Sequence, residues 1–386
     1  GLPRRLRGRA GCIVPSSRID RRPEVAETRF RPFPFGRGTV PAPIAKSLCN
    51  SAARFLSRAG TASPESDKPT MPDTIYETPG NPVPQDAVAG MLAMPDGRRL
   101  RYAHFRARAR PLRGTVVLLQ GRNECIEKYY ETIADLSARG FGVATFDLRG
   151  QGGSDRLLAD VERGHVGDFL HYATDIDPFF RHIVLPDCRG PYYVLAHSTG
   201  ALAALLAAPL LANRVERMVL SAPLLGLPEG RLAPRNAARI AGLMHAFGLG
   251  SAYLDGGPRE REPTPFADNV LTSDPARYAR NLSIYRWYPE LALGGVTATW
   301  VRAAFRATAL VNDPDFAASL RIPVLIVAAG AEQVVDPAAA ERFGRRLRVG
   351  GVVTVDGARH ELMQEADIYR EQFLAAFDAF VPGSAA

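Results

Sequence analysis

From residue 87 onward the chain alternates short, β-branched apolar runs with helix-length segments, and few architectures accept that pattern. Val88–Met94 and Arg98–Phe105 flank the turn Pro95-Asp96-Gly97 and read as a β-hairpin. Thr115–Gln120, Val143–Asp147, Tyr192–Ala196, Arg217–Ser221, Val324–Ala328 and Gly351–Val355 have the length and apolar character of buried strands. Between them, Ile126–Arg139 ends at a capping Gly140, and Phe169–Ile183 places Phe169, Tyr172, Ile176, Phe179, Phe180 and Ile183 at helical spacing. Thr199–Ala212, Pro337–Leu347 and Ile368–Phe380 read as further helices. Strands without polar alternation must be covered on both faces. An antiparallel start followed by strand–helix repeats therefore predicts an α/β fold with a mostly parallel central sheet and helices on both faces.

The alternation stops between Ser221 and Ile322. That stretch holds both tryptophans, Trp287 and Trp300, and reads as mostly helical, since a structureless loop of such length is rare. It is predicted to be a helical cap, residues 226–320, inserted between core segments 71–225 and 321–386. Residues 1–70 differ in kind. They recur in Arg and Pro, show no hydrophobic period, and are expected to form a disordered tail. The net charge of +8 belongs to this tail, which has 14 Lys/Arg against 5 Asp/Glu; the remainder is near neutral and shows no basic footprint for nucleic acid. Cys12-Ile13-Val14 is too short for the apolar core of a secretory signal, and Met71 is the expected natural start. The longest apolar stretch, Ala201–Ala212, has twelve residues where a bilayer span needs about 20. The four cysteines form no CxxC pair and indicate neither a disulfide scaffold nor a zinc site.

The segment Tyr192–Gly200 carries the strongest chemical signal. An apolar strand enters a tight turn at Ser198 and leaves as an Ala-rich helix, with the small residues Ala196 and Gly200 two positions either side. This is the G-x-S-x-G nucleophile elbow with Ala at its first position. The sharp turn lifts the serine above the sheet at a helix N-terminus, where backbone N–H groups stabilise a developing oxyanion. A serine alcohol needs a base. Of the seven histidines only His245 and His360 follow Ser198, and His360 lies in a loop just after the strand Gly351–Val355. The acid that orients it is expected after Val324–Ala328, where Glu332 and Asp336 are both available. Asp336 precedes Pro337 and already has a role as a helix N-cap, so Glu332 is favoured, with Asp336 as the alternative. The oxyanion donors are expected to be the N–H of Thr199 and that of Arg122, in the loop Gln120-Gly121-Arg122-Asn123-Glu124.

Other motifs point less far. Arg149-Gly150-Gln151-Gly152-Gly153-Ser154-Asp155 is rich in glycine but misses the dinucleotide spacing and reads as a loop that shapes the site. The His and Asp residues of His165–Asp168 and His171–Asp177 do not make a metal set. No metal or organic cofactor is implied.

On these residues the chain resembles the α/β-hydrolase fold, specifically the serine hydrolases of the monoacylglycerol lipase and lysophospholipase L2 type. The resemblance is carried by Gln120–Glu124 with Glu127-Lys128-Tyr129, by Phe146–Gly152, by His165-Val166 with Asp168-Phe169 and Tyr172, by Ala196–Gly200, and by Thr272-Ser273-Asp274-Pro275 leading to Asn281-Leu282. It spans about residues 87–380, and it departs from the family at Gln120-Gly121, commonly His-Gly, and at Glu332, where Asp is usual. It implies hydrolysis of a small acyl ester or lipid-like substrate such as a lysophospholipid or monoacylglycerol; separately, a cytoplasmic location with room for peripheral membrane contact through the cap is expected. A thioesterase, amidase or iminopeptidase would use the same triad, and a catalytically silent scaffold holding an apolar ligand is the alternative from another class. An aspartate-nucleophile hydrolase is disfavoured by the serine at the elbow.

Overall fold

A computed structural model describes residues 74–227, 233–259 and 263–382; the sequence expectation for the 1–70 tail lies outside the described residues. Among the described residues ten strands are formed: β1 Ala87–Ala93, β2 Arg99–Phe105, β3 Gly114–Leu119, β4 Phe141–Phe146, β5 Tyr192–His197, β6 Val215–Ser221, β7 Tyr253–Asp255, β8 Val296–Thr297, β9 Val324–Ala329 and β10 Gly350–Val355. Eight of them make one sheet in the order β1-β2-β4-β3-β5-β6-β9-β10. The β1–β2 and β2–β4 pairs are antiparallel and the rest parallel, so the sheet is mixed at one edge and parallel through its centre.

The central strands β3, β4, β5 and β9 are largely apolar and almost wholly buried because both faces are covered. Along β3, Val117 and Leu119 pack into one core layer and Val116 and Leu118 into the other, all fully buried. The first layer holds helices Leu170–Phe179 and Ser198–Leu211; the second holds helices Tyr130–Ala138 and Asp367–Phe380. Helix Ser198–Leu211 is apolar on nearly every side and is buried accordingly.

The helix expected over Phe169–Ile183 is interrupted. It is α-helical from Leu170 to Phe179, then widens into a π-turn at Phe180–Val184. Pro178 has no N–H to give to the ladder and its ring crowds the preceding turn, so the hydrogen-bond register changes just beyond it. The buried face survives the change: Tyr172, Ile176, Phe179, Phe180 and Ile183 are all in the core.

The insertion between β6 and β9 is mostly helical in its described parts, with helices Pro234–Ala246, Pro275–Trp287, Ala298–Val311 and Pro314–Ser319 and the short β7–β8 ladder. Trp300 and Val301 reach from it into the first core layer, where Trp300 meets Phe169 edge-on at 5.3 Å. Arg277 and Arg280 close on Glu131 of the core at 2.6 and 2.5 Å.

Candidate active site

Strands β5, β9 and β10 run parallel, so their C-terminal ends share one edge of the sheet. Ser198 follows β5, Glu332 follows β9 and His360 follows β10. Chain topology alone thus gathers three residues that are far apart in sequence.

Ser198 has φ = +48°, in the left-handed region that non-glycine residues seldom occupy. Such a conformation persists only where its surroundings hold it. Leu224 N–H donates to the Ser198 carbonyl at 3.1 Å, and the first helical turn lies directly against the end of β3. A Cβ on Gly200 would come within 2.4 Å of the Gln120 carbonyl oxygen and 2.7 Å of that of Leu119. Both atoms are backbone, so neither can swing aside. Gly200→Ala is expected to cost about 1–3 kcal/mol as overpacking of a dense site. A melting temperature equal to that of the parent would show that the turn is not held by this contact.

His360 Nδ1 lies 2.7 Å from Glu332 Oε2, with the two side chains only 5% and 2% exposed. With Nδ1–H donated to the carboxylate, the Nε2 lone pair is left to accept a proton. The other carboxylate oxygen, Oε1, accepts the N–H groups of Val334 (2.7 Å) and Val335 (3.2 Å). Burial pushes the Glu332 pKa up, but the His360 hydrogen bond, its charge and these two amides together hold it below the usual carboxylate range. Asp336 is engaged elsewhere. Its Oδ1 caps helix Pro337–Gly344 by accepting from Ala338 N–H at 2.9 Å, and its Oδ2 pairs with Arg342 at 2.8 Å. His245 sits in the cap with Nδ1 3.0 Å from the Thr299 hydroxyl.

The imidazole of His360 packs against that of His197, the residue immediately before Ser198, at 4.7 Å between ring centres. Burial drives the His197 pKa down to about 4; Glu124 opposes the shift and His360 adds to it. His197 is therefore neutral at pH 7, and its Nδ1 faces the Ser221 carbonyl at 3.2 Å.

Beneath this pair runs a chain of buried charges that sequence reasoning missed. Lys128 Nζ lies 2.8 Å from Glu124 Oε1 and 2.6 Å from Glu361 Oε1, and all three side chains are at most 7% exposed. Glu124 Oε2 also accepts from Tyr129 OH at 2.6 Å and from Gly121 N–H at 2.5 Å. Burial disfavours the Glu124 carboxylate, yet Lys128 and the Tyr129 hydroxyl help keep it ionised with a lowered pKa. The four-residue spacing of Glu124 and Lys128 is a helical ion-pair signal that was available in the sequence; Glu361 was not reachable in that way.

The Gly-rich loop 149–155 surrounds a carboxylate. Asp147 Oδ2 accepts Gly153 N–H at 2.6 Å and Arg101 Nε at 2.7 Å, and Oδ1 accepts Ile126 N–H at 3.0 Å. Gly152 has φ = +54°, and a Cβ there would lie 2.2 Å from Asp147 Oδ2, so the glycine is required by the closeness of the carboxylate. The His165 segment is tied to the cap, His165 Nδ1 lying 2.9 Å from Thr297 Oγ1, while Asp168 Oδ1 accepts the N–H of Leu170 at the start of its own core helix at 3.0 Å. Among the described residues no group of three or more His, Cys, Asp or Glu is placed to hold a metal ion.

Residues 110–367 match the family described as serine aminopeptidase, S33. The chain is 35% identical over 291 residues to lysophospholipase L2 of Escherichia coli strain K12, covering 73% of this chain and 83% of that protein. It is 28% identical over 284 residues to the probable lysophospholipase L2 of Haemophilus influenzae, covering 73% and 88%. Among solved structures, a monoacylglycerol lipase from Paleococcus ferrophilus superposes with a TM-score of 0.57 at 23% identity, covering 74% of this chain and 99% of that one. At that identity the likeness speaks for the fold alone. The family match takes in both the elbow strand and the loops that follow β9 and β10, and on it the chain belongs to the S33 serine hydrolases, ester-cleaving enzymes of the α/β-hydrolase fold.

Proposed function

We propose that the protein hydrolyses single-chain glycerol-based acyl esters, with lysophospholipids the favoured class and monoacylglycerols next. The observation that carries the chemistry is the buried Glu332–His360 pair lying against the elbow of Ser198. Ser198 Oγ attacks the ester carbonyl while His360 Nε2 takes its proton. The tetrahedral oxyanion is held by the Thr199 and Arg122 N–H groups and collapses as His360 returns the proton to the departing alcohol. Water then enters, His360 takes a proton from it, and the acyl-enzyme is cleaved to the fatty acid and free Ser198. Glu332 keeps the imidazole in the right tautomer and balances its charge when protonated. The lipid class is supported by the 35% identity to an enzyme named lysophospholipase L2.

The test is a turnover screen over lysophosphatidylcholine, lysophosphatidylethanolamine, monoacylglycerols, p-nitrophenyl esters, acyl-CoA and aminoacyl anilides. Single-chain glycerol esters are expected to give the highest kcat/KM. Turnover of aminoacyl anilides with none of any lipid ester would overturn this reading in favour of a peptidase.

The cap offers a surface for such substrates. Leu243, Phe247 and Leu249 are 60%, 74% and 56% exposed on and just after helix Pro234–Ala246. Arg235 and Arg239 lie on the same helix, and no Asp or Glu occurs between Ala233 and Leu254. A basic, apolar-tipped helix suits an anionic lipid surface, and no helix among the described residues is long and apolar enough to cross a membrane. Replacing Leu243 and Phe247 together by Ser is expected to weaken binding to phosphatidylglycerol vesicles at least tenfold, since each buried side chain contributes about 1.5–3 kcal/mol. Sedimentation with vesicles measures it, and equal binding of both forms would remove the cap from the membrane contact.

A further inference from the structure

The Gly-rich loop holds a buried amide, Gln151, that neither the Asp147 cradle nor the triad uses. Gln151 is 2% exposed, and its amide is spent wholly on the backbone of the loop after β3. Its Nε2 donates to the carbonyl of Gly121 at 2.7 Å and to that of Glu124 at 3.3 Å, while its Oε1 accepts the N–H of Asn123 at 3.3 Å. These partners fix the amide's orientation, because two acceptors and one donor are presented to it.

The bond to the Gly121 carbonyl has a directional consequence. In a planar trans peptide the C=O and the N–H point in opposite directions. The carbonyl of Gly121 and the N–H of Arg122 belong to one such peptide. In the sheet, β3 lies between β4 and β5. Gln151 belongs to the loop after β4 and draws the carbonyl toward that side, which turns the Arg122 N–H toward the β5 side, where Ser198 stands. The neighbouring peptide is fixed from the other end, since Gly121 N–H is bound to Glu124. Gly121 and Asn123 thus have acceptors for their N–H groups, while the Arg122 N–H has none among the described residues. Asn123, at φ = +56°, is further held by its own contacts: its carbonyl accepts from Tyr285 OH at 2.8 Å and its side chain from Leu293 N–H at 2.6 Å.

We infer that Gln151 is a positioning residue of the oxyanion hole: by holding the Gly121 carbonyl it aims the Arg122 N–H at the oxygen that becomes negative during acyl transfer. This rests on the reading of Ser198 as nucleophile given above. A preorganised donor acts because it need not reorient as charge develops, so a loosened peptide loses rate and leaves ground-state binding nearly intact.

The experiment compares wild type with Gln151→Met, which keeps the shape and removes every hydrogen bond, and with Gln151→Asn, which keeps the amide but falls short of the loop. On a p-nitrophenyl ester, kcat is expected to fall by about 10–100-fold, less than the roughly 10²–10³ for outright loss of an oxyanion donor, with KM within about threefold. A trifluoromethyl ketone, whose hemiketal oxyanion mimics the transition state, should bind more weakly by a similar factor, whereas a fatty-acid product should bind as before. Retention of kcat within about threefold in both variants, or a rise in KM alone, overturns the inference. If the Met variant does not fold, the Asn variant decides on the same criteria. Wild type is treated in parallel with a fluorophosphonate. If Ser198 is not modified, the nucleophile reading falls and takes this inference with it; if it is modified and the Gln151 variants keep their rate, only the inference falls.

Discussion

Ser198→Ala is expected to lower kcat on a p-nitrophenyl ester by on the order of 10⁵–10⁶, the scale on which a serine triad loses its nucleophile. The loss should be nearly complete because the proposed mechanism has no other covalent route: the proposed oxyanion donors and base remain, but they have only water to work with. Folding should be little affected. The serine sits at φ = +48°, a conformation as awkward for Ala as for Ser, and its carbonyl bond from Leu224 is backbone and survives the change. Steady-state hydrolysis with a thermal melt alongside gives the answer. A variant that retains a tenth or more of the parent's rate would require another nucleophile.

Glu332→Gln is expected to reduce kcat by on the order of 10³–10⁴, as does replacement of a triad carboxylate by its amide elsewhere. The amide can offer its NH2 to His360 and so select the wrong tautomer, turning a proton toward Ser198 where a lone pair is needed. It also removes the charge that balances the imidazolium. Asp336→Asn gives the contrast. Asn caps a helix about as well as Asp, so both stability and rate should stay close to the parent. The two carboxylates are four residues apart, yet one is bound to His360 at 2.7 Å and the other to its own helix and Arg342. If Asp336→Asn produced the large loss and Glu332→Gln did not, the observed hydrogen bond would not be the working one.

Much of this arrangement is legible in the sequence. Strands β3, β5 and β9 could be recognised because burial on both faces leaves no reason for polar alternation, and the elbow because strand, small residue, serine, small residue and helix follow one another without a gap. His360 and Glu332 could be chosen because parallel strands put their C-terminal ends on one edge, so a loop residue after β9 and another after β10 are neighbours of a residue after β5. Asp336 competes because a residue seven positions beyond the end of β9 still reaches that edge of the sheet. Only its use as a cap, itself marked by the following Pro337, set it aside.

What stayed hidden depended on contacts without a local pattern. Lys128 and Glu361 are 233 positions apart, and nothing in either segment names the other. Gln151 binds backbone groups, which every residue possesses, so its partners leave no trace in side-chain identity. The glycines of 150–153 suggested a cradle, but the occupant is Asp147, a charge supplied by the chain itself at the end of the preceding strand. Pro178 was visible inside the helical pattern, and the register change beyond it follows from the missing N–H. The β7–β8 ladder is too short to show any period.

The proposed chemistry turns on one hydroxyl, that of Ser198, being activated by the imidazole held on Glu332. Incubation of the native protein with a fluorophosphonate, followed by proteolysis and mass spectrometry of the peptides, addresses it most directly. One equivalent of adduct is expected on the peptide spanning Tyr192–Gly200, localised to Ser198, with a markedly slower reaction in His360→Ala. Stoichiometric adduct on a different serine, or ester turnover that persists with Ser198 unmodified, would contradict it.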